Sequence, residues 1–166
     1  MKKFITLILA LVFVLGLVGC SNVKQINNVQ QTEVLTYSFH GEHEYFTISN
    51  GSIVLSDTEE VFDGGNLEIT QYGVFDEVVS YSTTFYAFTN GKQNTILSNS
   101  VIDQTGETIH VSGDLGRVAG DPVTIGDKAE KIDEFKENLW FELKTMDLNG
   151  KENIYQIQLT LIDQSV

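Results

Sequence analysis

The chain has 166 residues, with ten Lys and Arg against 23 Asp and Glu and a formal net charge of −13. That balance opposes nonspecific binding to nucleic acid or to anionic lipid headgroups, and the single cysteine excludes an intrachain disulfide. The length suits one domain behind a processed N-terminus, large enough to fold without a metal or a disulfide.

Met1-Lys2-Lys3 opens the chain as a positive n-region, and Phe4 to Val18 runs apolar with only Thr6 and Gly16 interrupting it. Such a core is too short for a comfortable membrane span and fits a secretion signal. It ends in Leu17-Val18-Gly19-Cys20, which resembles the lipobox of bacterial lipoproteins. The resemblance implies cleavage between Gly19 and Cys20, covalent diacylglycerol on the Cys20 sulfur, and residence on the outer, extracytoplasmic face of the cell membrane. Two acyl chains hold a protein stably where one is marginal. Loss of Lys2 and Lys3 with the leader (1–19) makes the mature chain two charges more negative.

The tether, 20–32, is rich in Asn and Gln and has no hydrophobic period, as expected of a flexible segment. It reaches at most about 40 Å extended and nearer ~20 Å as a coil. A folded domain is expected over 33–166.

Its first strand is read from Leu35, Tyr37 and Phe39 alternating with Thr36, Ser38 and His40. Asn50-Gly51 then suggests a two-residue turn pairing Ile48 with Ile53 and Phe46 with Leu55. Leu67-Ile69 and Ile109-Val111 read as short strands. Tyr81 to Phe88, turning at Asn90-Gly91 into Gln93 to Ser98, reads as a hairpin with Phe85 opposite Ile96. Tyr86 and Phe88 make the first of these strands apolar on both faces, hence central. Gly113 to Gly126, Gly- and Asp-rich around Pro122, reads as a loop with at most one short strand.

Asp127 with Glu130 forms a capping-box pattern ahead of Ile132, Phe135 and Leu139, predicting one short connecting helix near 128–138 across one end of the sheets. In the closing hairpin, a two-residue Asn149-Gly150 loop would mix the faces of its strands. A three-residue loop, Leu148-Asn149-Gly150 with Gly150 left-handed, pairs Leu143 with Tyr155, Phe141 with Ile157 and Leu139 with Leu159. Gln156, Gln158 and Thr160 then face solvent. The sum is an all-β fold: an antiparallel β-sandwich, immunoglobulin-like or a partly open barrel. The overall run, with its Phe39-His40-Gly41-Glu42 turn, is similar to small lipoproteins of low-GC Gram-positive bacteria that have no assigned activity.

Two clusters suggest chemistry. His40, Glu42, His43 and Glu44 supply nitrogen and oxygen donors suited to Zn²⁺ or Cu²⁺, although a turn at Gly41 is needed to bring both imidazoles together, and a solvated turn is the simpler reading. Asp57, Glu59, Glu60 and Asp63 offer carboxylates for Ca²⁺ but lack EF-hand spacing. No hydrolase motif, zinc-protease motif, Cys–His pair or phosphate-binding glycine loop is present. Trp140 shares a strand face with Glu142 and Lys144, away from the Leu139/Phe141 core. With Tyr86 it is a candidate ligand or interface residue, or else it covers a second hydrophobic face under the helix.

The expectation is a membrane-anchored, non-catalytic binding module with an unknown protein or small ligand, no nucleic-acid partner and no cofactor beyond the lipid on Cys20. A metal-binding envelope lipoprotein using the His40–His43 cluster is the alternative.

Overall fold

The computed structural model describes residues 34–89, 91–121 and 125–164. The leader, Cys20 and the tether, 20–32, lie outside the described residues, as does Asn90. In chain order the elements are β1 (Leu35–Glu42), β2 (Phe46–Leu55), β3 (Glu60–Asp63), β4 (Asn66–Ile69), β5 (Val78–Thr89) and β6 (Lys92–Ile102). They continue with β7 (Gly113–Asp114), β8 (Arg117–Gly120), α1 (Ile125–Asn138), β9 (Leu139–Asp147), β10 (Glu152–Gln158) and β11 (Thr160–Asp163). They form two antiparallel sheets with no closed barrel, a β-sandwich. Sheet one runs β11-β1-β2-β3-β8, with β4 also on β2 and β7 on β4; sheet two runs β10-β9-β5-β6.

The closing hairpin has the register that its faces demand. Tyr155 lies opposite Leu143 and Ile157 opposite Phe141. Gly150 sits at φ +77°, and its N–H donates to Asp147 O at 3.0 Å. Gln156, Gln158 and Thr160 are exposed. Leu159, buried between β10 and β11, donates its N–H to Leu139 O at 2.8 Å. One strand thus passes from sheet two to sheet one and closes that flank of the sandwich.

Asn50-Gly51 does not turn the chain. β2 runs straight through it, with β1 on one side and β3 and β4 on the other. Only Asn50 has a positive φ, +59°, whereas a type I′ turn needs two such residues. Against β1 the register slips by one residue at this point, Phe39 opposing Gly51 and Gly41 opposing Ile48, so Asn50 is the extra residue of a β-bulge. The true return is Ser56 to Glu59, where Ser56 Oγ accepts the N–H groups of Thr58 and Glu59 at 3.2 and 3.0 Å.

The bulge is one of a row. Beside it, Gly64-Gly65 breaks the line of β3 and β4, and Leu115-Gly116 breaks that of β7 and β8. Gly64 N–H reaches Gly116 O at 2.8 Å and Leu115 N–H reaches Gly65 O at 2.9 Å. Both breaks use one device: Asp63 Oδ1 accepts Gly65 N–H at 2.9 Å and Asp114 Oδ1 accepts Gly116 N–H at 2.6 Å, with Gly65 at φ +71° and Gly116 at φ +86°. The Gly113–Gly126 stretch therefore holds two short strands. All their side chains are exposed, so no apolar alternation marks them.

Other expectations need smaller corrections. β5 is central and pairs with β6 across the predicted turn, but a bulge leaves Ile96 over and places Phe85 opposite Leu97. Ile109-Val111 is not a strand; Val111 is buried and Ile109 N–H donates to Val78 O at 2.7 Å. The helix starts at Ile125, so Asp127 lies in its first turn and not at its cap, and Leu139 opens β9. As expected, α1 sits at one end of the sandwich, burying Ile132 and Phe135 in the main core.

That core is built on aromatic rings. Phe39 stacks on Phe62 at 5.1 Å, both meet Phe85, and Phe85 meets Phe141 at 5.0 Å. A Cβ on Gly51 would overlap the Phe39 ring, and one on Gly64 would come within 2.8 Å of the Phe85 ring. At Gly65 it would overlap the Ser49 carbonyl, whereas at Gly73 it would meet nothing within 4 Å. Gly65→Ala should therefore cost about 2–4 kcal/mol of unfolding free energy. Gly73→Ala, equally left-handed but unobstructed, should cost only about 1–2 kcal/mol. Urea denaturation followed by Trp140 fluorescence measures both, and equal losses would contradict the steric account.

Candidate functional site

Gly41 does not turn the chain between the two histidines. It stays within β1, where a Cβ would come within 2.6 Å of Leu159 Cδ2 and 2.7 Å of Ile157 Cδ1. His40 and Glu42 consequently share the exposed outer side of β1, and Glu44 is exposed in the following loop. His43 is half-buried on the other side. Its ring stacks on Phe46 at 4.8 Å and meets Tyr45 and Tyr155 at 5.1 and 5.5 Å, while Nδ1 accepts the Tyr45 N–H at 3.3 Å. Among the described residues no group of three or more His, Cys, Asp or Glu side chains gathers around a metal position.

The acidic run does not form one loop: Glu60 and Asp63 are the ends of β3. Asp63 holds Gly65, and Glu60 pairs with Lys131 of α1. That pair ties the start of β3 to the helix.

Trp140 and Tyr86 are brought together. They lie opposite one another in the β5–β9 register, with Gln158 next to Trp140 on β10, on the outer side of sheet two. Tyr86 is 2% exposed and packs edge-on against Phe88 at 5.6 Å. Burial raises the Tyr86 phenol pKa above its ordinary value, and the Glu142 carboxylate adds to the rise. Trp140 is half-buried and stands outside the main core, and its neighbour Gln158 donates its side-chain N–H to Glu137 O of α1 at 2.5 Å.

An opening of about 570 Å³ lies between the β4–β5 loop and the 108–112 segment, where Tyr72, Phe75, Asp76 and His110 line it. Phe75 forms its back wall and meets Tyr155 edge-on at 5.5 Å, so this cleft and the His43 cluster share aromatic packing. Burial, and after it the neighbouring Tyr45, raises the Tyr155 phenol pKa.

The flank opposite the β10–β11 crossover is built differently. β6 is the edge of sheet two, eleven residues long, and every side chain on it is exposed except the half-buried Ile96 and Leu97. β7 and β8, the facing edge of sheet one, are exposed throughout. Asn99 crosses the gap, its Nδ2 donating to Leu115 O at 2.5 Å. Two clefts flank this bridge. One, about 330 Å³, is lined by Phe62, Ile96, Val118 and Phe135 with Glu60, Lys131 and Glu134. The other, about 390 Å³, is lined by Leu67, Tyr81, Val101 and Leu115 with Asp114.

The pattern rules used on the sequence find strands and turns, but they say nothing of which strand ends at an edge. The one signal that pointed to this flank is the run from Gln93 to Ile102, which carries no charged residue and no proline.

The His43 packing generates a direct test. His43→Ala should destabilise the fold by about 1–2 kcal/mol through lost ring contacts and a lost hydrogen bond. His40→Ala, at an exposed position, should stay within about 0.5 kcal/mol of the parent. Chemical denaturation decides, and the reverse order would contradict the assignment.

No protein-family model, no curated protein and no solved structure matches the chain.

Proposed function

We propose that the chain is a lipid-anchored, extracytoplasmic binding module without a catalytic role, and that the open flank between β6 and β8 is its contact surface. The observation that carries this reading is the asymmetry of the two flanks. On one, β10 runs on into β11 and joins the two sheets. On the other, β6 and β8 end their sheets unjoined and, among the described residues, no strand pairs beyond the long β6, which stands above two clefts. A backbone edge is a row of unpaired donors and acceptors, and proteins ordinarily blunt it with charges, prolines, short length or a covering element. β6 has Lys92 at its turn end and one bulge.

The lipobox at Leu17 to Cys20 supports the anchor. Among the described residues no helix is long and apolar enough to cross a membrane, and the reading assigns membrane attachment to Cys20. The short tether keeps the domain within a few tens of ångströms, roughly 20–40 Å, of the lipid surface.

Two experiments test the two halves of the reading. Radiolabelled palmitate should enter the full chain expressed in a Gram-positive host and should be lost entirely in Cys20→Ala; label persisting in that variant overturns the anchor. A photo-crosslinking residue replacing Val101 on β6 should give a discrete adduct in native cells. The same residue replacing Ile162, exposed on the closed flank, should give none. Adducts of equal yield at both positions, or at neither, overturn the assignment of the contact surface.

A further inference from the structure

The open flank specifies more than a place of contact. Asn94, Leu97, Asn99 and Val101 of β6 oppose the inward side of β5, and Asn94, Asn99 and Val101, with Ile96 of the bulge, stand beside the two clefts. Asn94 and Asn99 are five residues apart, which on a strand is about 16 Å. A segment lying alongside β6 in the plane of sheet two would send every second side chain toward those clefts, since strand side chains alternate between faces. Both clefts offer apolar walls: Phe62, Val118 and Phe135 in one, Leu67, Tyr81 and Leu115 in the other.

Charge narrows the occupant. Among the described residues, the first cleft is lined by the Glu60–Lys131 pair and by Glu134, and the second by Asp114 with no cation. The chain as a whole has a formal net charge of −13. Lys92 at the hairpin end and Arg117 on β8 are the cations nearest the edge in sequence. A second copy of this chain would bring a like charge of the same size against the flank.

We propose that β6 takes up an added β-strand from a protein partner: an extended segment of about eight or more residues. It is apolar at alternate positions and carries Lys or Arg at its ends. Main-chain hydrogen bonds to the edge supply affinity, and the apolar clefts, Asp114 and the acidic balance of the chain supply selection. This inference rests on the open flank being the contact surface, and it adds the form and chemistry of what binds there.

The test uses the full lipidated chain in a non-ionic detergent and a synthetic nine-residue peptide, Lys-Val-Thr-Val-Thr-Val-Thr-Val-Lys. Titration should saturate, and hydrogen exchange of the amides between Gln93 and Ile102 should slow on binding. A peptide N-methylated at alternate residues cannot complete the main-chain ladder and should bind at least about tenfold more weakly. Replacing its terminal Lys by Glu should weaken binding by about threefold or more, and less so at high salt. On the protein side, Val101→Lys places a charge on the edge and should weaken binding comparably while the melting temperature stays near that of the parent. If that variant misfolds, the N-methylated peptide still decides.

Unchanged exchange along β6, equal affinity of the N-methylated peptide, or self-association of the chain through β6 would each overturn strand addition. A crosslink from position 101 together with any of these results would leave the flank as a contact surface and remove only the strand. Absence of that crosslink would remove the surface itself.

Discussion

Everything in this sandwich depends on how closely backbone and aromatic rings approach one another across sheet one. Phe39, Phe62 and Phe85 meet at the centre of the core, and their rings press onto the backbone at Gly51 and Gly64, where a single added carbon has no room. Interiors are packed at crystal-like density, so such contacts cannot be relieved by small shifts. The strands yield instead. Asn50, Gly65 and Gly116 adopt left-handed backbone in neighbouring strands, and the sheet bends along that row. Asp63 and Asp114 hold two of the bends by accepting an N–H two residues on. The bends also break the outer strands into the short pieces β3, β4, β7 and β8.

This explains what the sequence made legible and what it hid. The closing hairpin could be read to the residue because turn chemistry and burial allowed one shared solution: only a three-residue loop keeps Leu143, Phe141 and their partners on one face. Asn50-Gly51 offered the same local signal and a plausible hydrophobic pairing, yet it forms a bulge, because a left-handed Asn followed by Gly serves either purpose. The deciding facts were the Phe39 ring over Gly51 and a partner strand on each side, both long-range. β7 and β8 leave little hydrophobic trace: they are two and four residues long and largely exposed, and of them only Val118 borders an apolar cleft.

The candidate residues divide along the same line. Trp140 and Glu142 were correctly placed on one outer face, because alternation fixes faces. Composition marks His43 as a candidate metal ligand, but its place is set by the aromatic neighbours Phe46, Tyr45 and Tyr155, and Tyr155 lies more than a hundred residues along the chain from the cluster. Edges are the hardest property to read locally: β6 resembles any polar strand until its place at the end of sheet two is seen, with no strand beyond it among the described residues.

An edge of this length with one charge, Lys92 at its turn end, raises the question of what keeps copies apart. Strand-intrinsic protection is slight, one bulge at Ile96 and one Lys at the turn. The remaining candidate is global: a chain with more than twice as many acids as bases repels its own kind over a screening length of roughly 8 Å at physiological salt. That repulsion does not require a charge on β6 itself, so the edge stays chemically free for hydrogen bonding. The same field attracts a cationic segment and repels an acidic one. On the proposed reading, net charge disfavours a second identical molecule at the open strand and leaves the edge to a cationic segment without burying it.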